Sequence, residues 1–214
     1  MVHAMTHPQP QAFWDKIAPK YAARPVSDMR AYEAKLAHLA SLFRPNDHVL
    51  EIGCGTGTTA LKLADRVASY TATDVSGAML DIARSKTPAD GEPAVTFQRA
   101  DAAEAVEGQP FDVICAFSLL HLVDDLPKTL SRVHAQLKPG GMFLSKTVCL
   151  KNSWIPFRPL IAVLRLLGMA PKVRFLNTKD CVRHLEDAGF QVEDVRYFTN
   201  NTMSPFILAR RAQG

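Results

Sequence analysis

Apolar residues recur along this chain at two periods, and the two periods alternate. His48–Ile52 is a short run, apolar on both faces, the pattern of a central parallel strand. Residues 58–67 read as the helix that follows it. Further strands are expected at 70–74, 95–99, 111–118 and 142–148, each followed by a helical stretch. The helix after the fourth strand is marked by Leu126, Leu130, Val133 and Leu137 on one stripe, and Lys138-Pro139-Gly140-Gly141 reads as its stop and turn. Before the first strand, Phe13 to Tyr21 reads as a short helix. Leu36, Leu39, Ala40 and Phe43 place a second one over residues 30–43.

The end of the chain breaks the alternation. Thr178 is the expected N-cap of a last helix lined by Val182, Leu185 and Ala188 and stopped by Gly189. Residues 192–199 and 204–210 then read as two strands joined by Asn200–Met203, a link tight enough for an antiparallel hairpin. Five strand–helix repeats, a helix and a hairpin predict an α/β protein. It is a three-layer α/β/α sandwich around a seven-stranded, mostly parallel sheet with a terminal antiparallel hairpin. One domain is expected over residues 12–214, behind a mobile N-terminus at 1–11.

The candidate chemistry begins at Glu51-Ile52-Gly53-Cys54-Gly55-Thr56-Gly57, between the first strand and its helix. Glycines there let the backbone turn and let a ligand approach it. A helix N-terminus behind them offers free amides to a polar ligand. The dinucleotide fingerprint is G-x-G-x-x-G, which seats a pyrophosphate. Here the spacing is G-x-G-x-G, and Glu51 would repel a pyrophosphate but attract a cation. E-I-G-C-G-T-G resembles motif I of the class I S-adenosylmethionine-dependent methyltransferases. L-K-P-G-G at residues 137–141, followed by an apolar strand, is a second likeness. The Phe13-Trp14 to Tyr21 segment resembles the start of the ubiquinone/menaquinone-biosynthesis type of these enzymes. The likeness covers residues from about 12 to 210 and makes the sheet Rossmann-like.

The resemblance implies S-adenosylmethionine as cofactor and assigns the site. Gly53, Cys54 and Gly55, with Glu51, would carry its methionine part. Asp74 would accept the ribose hydroxyls, a task that suits an acid at a strand end about 20 residues past the turn; a capping aspartate is the other reading. Val75 and Met79 would touch the adenine, although Met79 also suits a helix core. Asp101 and Ala102 would meet the adenine edge and ring, or Asp101 simply caps a turn. Phe117 ends the fourth strand beside them, and Tyr21 either folds over the cofactor or packs on the domain. His121 follows that strand and is the one candidate for a catalytic base, against a structural histidine.

Residues 151–177 form a variable apolar segment. Trp154, Ile155, Phe157, Leu160, Ile161, Val163, Leu164, Leu166, Leu167 and Met169 crowd it, with Arg158 and Arg165 seven apart on one helix face. It is too short to span a bilayer. A lid over a lipophilic substrate, an interfacial helix and an ordinary packed element all fit, so peripheral membrane contact stays open. The acceptor expected from this segment is a small, lipophilic molecule.

Composition narrows the rest. A hydrophobic share of 47% and a charged share of 21% suit a globular domain, and a formal net charge of +4 without a dense basic run argues against nucleic acid. Cys54, Cys115, Cys149 and Cys181 make no C-x-x-C pair, which suggests free thiols in the cytoplasm and no metal site. Met1–Pro10 lacks the basic and apolar regions of a signal peptide. Two rival functions remain from the residues alone. One is an NAD-dependent oxidoreductase, the other a non-catalytic cofactor-binding module. Oligomeric state is not written in the sequence.

Overall fold

The computed structural model describes residues 10–88, 91, 94–108 and 110–213. Most of the expected mobile N-terminus, residues 1–9, lies outside them. Two helices come first, α1 (Pro10–Ala22) and α2 (Met29–Leu42). The α/β part follows as β1 (His48–Ile52), α3 (Thr58–Leu63), β2 (Ser69–Asp74), α4 (Gly77–Ser85), β3 (Val95–Arg99), β4 (Phe111–Phe117), α5 (Leu126–Gln136) and β5 (Leu137–Lys146). The chain ends with α6 (Phe157–Leu166), α7 (Thr178–Asp187), β6 (Phe190–Arg196) and β7 (Phe206–Arg211).

One seven-stranded sheet has the order β3-β2-β1-β4-β5-β7-β6. The strands β1 to β5 pair in parallel, and β7 inserts antiparallel between β5 and β6. The strand alternation sorts side chains between two layers. Leu50, Ile52, Ile114 and Ala116 face a core shared with Leu126, Leu130 and Val133 of α5 and Leu185 of α7. Val49, Val113 and Cys115 face the opposite core, with Leu39 of α2 and Ala60 and Leu63 of α3. Glu51 shares the parity of Val49, so its carboxylate is carried into the α2 and α3 layer.

Several boundaries differ from the sequence expectation. No helix stands between β3 and β4 among the described residues. Asp101 closes that connection instead, accepting from the amide of Ala103 at 2.8 Å. The α3 helix stops at Leu63 and gives way to a 3-10 turn, Ala64–Arg66. Residues 138–141 are not a turn outside the sheet, because Leu137 already pairs with Phe111 and a register shift before Val113 absorbs the irregularity. The terminal hairpin is antiparallel as expected, but its strands end at Arg196 and restart at Phe206, so residues 197–205 make a wide link in place of a tight one.

The last helix begins one residue earlier in logic than Thr178. Asn177 caps it, accepting from the Asp180 amide at 2.7 Å, while the Asp180 carboxylate accepts from the Asn177 amide at 3.2 Å. Asn177→Ala removes the cap but no core contact. A cost of about 1 kcal/mol is expected, lowering Tm by about 2–4 °C in a chain of this size, as calorimetry will show.

The structure also joins residues the sequence scattered. Cys149 and Cys181 are both buried free thiols, and their sulfurs stand 3.5 Å apart. Among the described residues there is no group of acids, histidines and cysteines that could hold a metal. No described helix is long and apolar enough to cross a membrane.

Candidate functional site

Parallel strands leave their carboxyl ends at one edge, and the order of this sheet reverses between β1 and β4. A crevice opens there, as it does in open α/β sheets generally. The glycine turn after β1 forms its floor. Gly53 and Gly55 have φ of +67° and +54°, a left-handed backbone that glycine alone adopts at little cost. Gly55 faces open space, since a Cβ there would meet only the Tyr21 ring, at 3.8 Å. The Gly55 amide, ahead of the α3 N-terminus, is already engaged. It donates to Asp74 Oδ2 at 2.8 Å, while Asp74 Oδ1 accepts from the Ser76 amide at 2.9 Å. The carboxylate thereby ties the first turn of the site to the second.

Two cavities meet over this floor. The first, about 250 Å³, is lined by Asp74, Val75, Met79, Asp101, Ala102 and Trp14, among others. The second, about 760 Å³, includes Glu51, Cys54, Tyr32, Lys35, Arg24 and Lys146. Tyr21, Gly53, Gly55, Phe117 and Ser118 line both. Of the residues expected from the sequence, all the cofactor candidates reach one cavity or the other. His121 does not. It is buried while its neighbours Leu119 and Leu122 line the crevice, and its Nδ1 has no hydrogen-bond partner among the described residues. Burial alone pushes its pKa down to about 4, so the imidazole stays neutral.

Each wall has a local cause. Ser118 has φ +56°, the one left-handed non-glycine among the described residues, and its amide donates to the Lys146 carbonyl at 2.6 Å. That turn sends Leu119 to Val123 across the crevice, and such strain concentrates at functional sites. The helix α1 is fastened by Asp15, whose Oδ1 accepts from Ser76 Oγ at 2.6 Å and from the Ala78 amide at 3.2 Å. The Ser76 hydrogen bond is the main reason that carboxyl sits below its usual range. Trp14 and Tyr21 meet edge-to-face, 6.4 Å between centroids, so the docked helix presents both rings to the crevice.

The second cavity holds an unusual pair. Glu51 is buried and accepts from Tyr70 Oη at 2.9 Å. Burial raises its pKa to about 7 even though Lys35 and the Tyr70 hydroxyl pull the other way. Lys35 is also buried, with its ammonium 4.2 Å from the Phe117 ring centroid and 4.9 Å from that of Tyr32. Burial lowers its pKa to about 8, and Glu51 opposes the shift. Lys35, Tyr32, Asp15 and Ser118 escape a reading by sequence. A lysine in an amphipathic helix reads as solvent-facing, and the one hint is that Tyr32, Lys35 and Leu39 recur at helical spacing.

The Glu51 shift has a signed consequence. Unfolded Glu51 loses its proton near 4.5, while the folded chain keeps it to about 7. Between those values the native state binds the extra proton, so stability falls as pH rises through that window. Glu51→Gln removes this slope. Urea unfolding at pH 5, 6, 7 and 8 should give a flatter profile for the variant; parallel profiles would refute the assignment.

A glycine turn with acids at the ends of the next two parallel strands, under a sheet closed by a β5-β7-β6 antiparallel edge, defines the Rossmann-like class I methyltransferase fold. Relatives agree. The methyltransferase domain family matches residues 49–141. A demethylmenaquinone methyltransferase of Symbiobacterium thermophilum is 32% identical over 203 residues, spanning 80% of this chain and 79% of that protein. Among solved structures, the 4+2 cyclase SpnF superposes with a TM-score of 0.78 at 18% identity, covering 99% of this chain and 98% of that one. An S-adenosylmethionine-dependent methyltransferase from Mesorhizobium loti gives 0.68 at 23% identity, over 85% and 98%. The chain spans less than half the length of several other curated relatives, large polyketide synthases among them. The chain belongs to the S-adenosylmethionine-dependent methyltransferases, and S-adenosylmethionine is its cofactor.

Proposed function

We propose that this chain moves the methyl group of S-adenosylmethionine to a small lipophilic acceptor, with the adenosine half of the cofactor in the first cavity and the acceptor in the second. The observation that carries the reading is that the two cavities meet at the glycine turn, where Tyr21, Phe117 and Ser118 wall both. A donor and an acceptor lodged on the two sides face each other there.

The residues present fit the cofactor. Asp74 keeps lone pairs beyond its two amide contacts for ribose hydroxyls. Val75, Met79 and Ala102 offer apolar surface to the adenine, and Asp101 a carboxylate to its edge. Gly53 and Gly55 let the methionine part lie against the backbone, with Cys54 in the same turn, and Glu51 supplies the charge that suits a cation. The sulfonium brings the electrophilic methyl carbon. The protein's share is to hold the acceptor atom in line and to keep water out, and such placement is worth several kcal/mol. Trp14 and Tyr21 form the cover. Where the acceptor must lose a proton, Lys35, with a pKa lowered to about 8, and Glu51, raised to about 7, are the groups lining its cavity that could take it. His121 lines neither cavity.

The lipophilic character of the acceptor rests on the aromatic lining by Tyr32, Phe117 and Phe198. The Symbiobacterium relative, by its name, methylates a demethylmenaquinone. The cyclase neighbour shows that this fold also carries other chemistry, so the reaction must be argued from the site. Membership of the methyltransferase family leaves no place for the NAD-dependent reading. Methyl-labelled S-adenosylmethionine, incubated with the protein and cell extract, should place label in the organic-solvent phase, in a product whose mass rises by one methylene. Label confined to hydrophilic products would overturn the acceptor class. Cofactor binding without any labelled product is the outcome expected of a non-catalytic module.

A further inference from the structure

Outside the crevice, the surface feature hardest to reconcile with water is α6. None of its residues is buried. Leu160, Val163 and Leu167 follow at spacings of three and four and share one exposed stripe, flanked by Trp154 at 93% exposure and Leu166 at 87%. A contiguous apolar face of this kind marks a contact surface. Neither cavity is lined by any residue of α6, so in this structure the helix is not a lid over the site. Phe157, Ile161 and Leu164 are half-buried and seat the helix on the domain, but that packing leaves the Leu160, Val163 and Leu167 stripe uncovered.

Charge selects the occupant. Residues 151–179 hold six basic residues, Lys151, Arg158, Arg165, Lys172, Arg174 and Lys179, and not one acid, in a chain whose net charge is only +4. Lys151 and Lys172 pair with Asp180 and Asp124. Arg158 and Arg165 are exposed and have no ion-pair partner among the described residues; Arg158 rests over the Phe175 ring, 5.2 Å from its centroid. A second copy of this chain on the same face would set these cations against themselves. An anionic lipid surface satisfies both halves of the pattern, accepting apolar side chains below the headgroups and attracting Lys and Arg at their level.

We propose that α6 and its flanks, from Trp154 to Met169, dock in the plane of an anionic membrane surface. A helix of ten residues is about 15 Å long, which suits lying in an interface and not crossing it. The segment then returns to the crevice: the Arg174 amide donates to the His121 carbonyl at 2.7 Å, and its guanidinium donates to the Asp124 carbonyl at 2.8 Å. Those partners belong to the 119–125 stretch that borders the first cavity. The chain after the docking face is thus tied to the border of the first cavity. The inference stands on this face alone and does not need the acceptor to be identified.

The test is co-sedimentation of the purified chain with vesicles of phosphatidylcholine, with and without about one-third phosphatidylglycerol. Partitioning onto the anionic vesicles should exceed that onto neutral ones by about tenfold or more and fall when salt is raised to 0.5 M. The double variant Leu160→Glu, Leu167→Glu changes only exposed positions. It should lose about tenfold or more of the partitioning while keeping its affinity for S-adenosylhomocysteine, which certifies its fold. Equal partitioning on both vesicle types, none on either, or undiminished binding by the variant would overturn the proposal. So would a concentration-dependent dimer that the double variant abolishes.

Discussion

Asp74→Ala should weaken binding of S-adenosylhomocysteine by about ten- to a hundredfold, measured by titration calorimetry. Two losses combine. If the carboxylate receives the ribose hydroxyls, those hydrogen bonds disappear, a cost of about 1–3 kcal/mol for bonds to a charged acceptor. The same carboxylate also holds the Gly55 and Ser76 amides at 2.8 and 2.9 Å, so its removal frees the floor of the crevice from the entry to α4. Burial raises the Asp74 pKa, and the two amides oppose that rise, which keeps an acceptor in place for the ligand. Asp74→Asn separates the two losses. It retains one carbonyl oxygen for the backbone and gives up the charge, and should land between wild type and alanine. Unchanged affinity in the alanine variant would remove Asp74 from the site.

Gly57→Ala should be the most damaging small substitution for folding. Gly57 has φ +69° and precedes α3 as its N-cap. A Cβ there would stand 2.8 Å from Ala83 Cβ and 2.9 Å from Phe97 Cε1. Ala83 is fully buried in α4, and neither group is the free end of a flexible chain. Left-handed strain of about 1–2 kcal/mol adds to overpacking of about 1–3 kcal/mol. A loss of about 2–5 kcal/mol is a large share of a typical domain's stability and should lower Tm by roughly 4–20 °C. Gly53→Ala is the informative contrast. Its Cβ meets the Leu119 side chain at 2.7 Å, and a leucine methyl at the crevice can swing away. There the loss should appear in cofactor affinity more than in Tm. Equal thermal shifts for the two variants would show that the Ala83 and Phe97 contacts are not the cause.

What the sequence made legible was local. The strand, the glycines and their helix occupy one continuous stretch, so the floor of the site could be read from residues 49–63. Asp74 and Asp101 could be read because strand ends are visible in the apolar runs that precede them. The residues that stayed hidden are those whose surroundings come from elsewhere in the chain. Lys35 is a helix lysine until β1 and β4 bring Glu51 and Phe117 against it. Asp15 is a surface acid until α1 docks on Ser76. Ser118 ends an apolar strand like any serine, and only the backbone shows its left-handed turn. The misplaced boundaries have the same origin. Leu137 leaves α5 for the sheet because Phe111 offers it a partner, and Arg196 stops pairing where Phe206, not residue 204, completes the register.

The fastening of α1 has a consequence for how the cofactor comes and goes. Among the described side chains of this helix Ala18 is the buried apolar one, and a polar anchor is the carboxylate of Asp15 on the entry to α4. Segments with so little buried surface release at a small fraction of the global unfolding free energy. Trp14 and Tyr21 travel with it. Release of this one helix would uncover the crevice while the sheet and both cores stay closed. Variants that loosen Asp15 are therefore expected to change how fast the cofactor leaves without changing how stably the two cores fold.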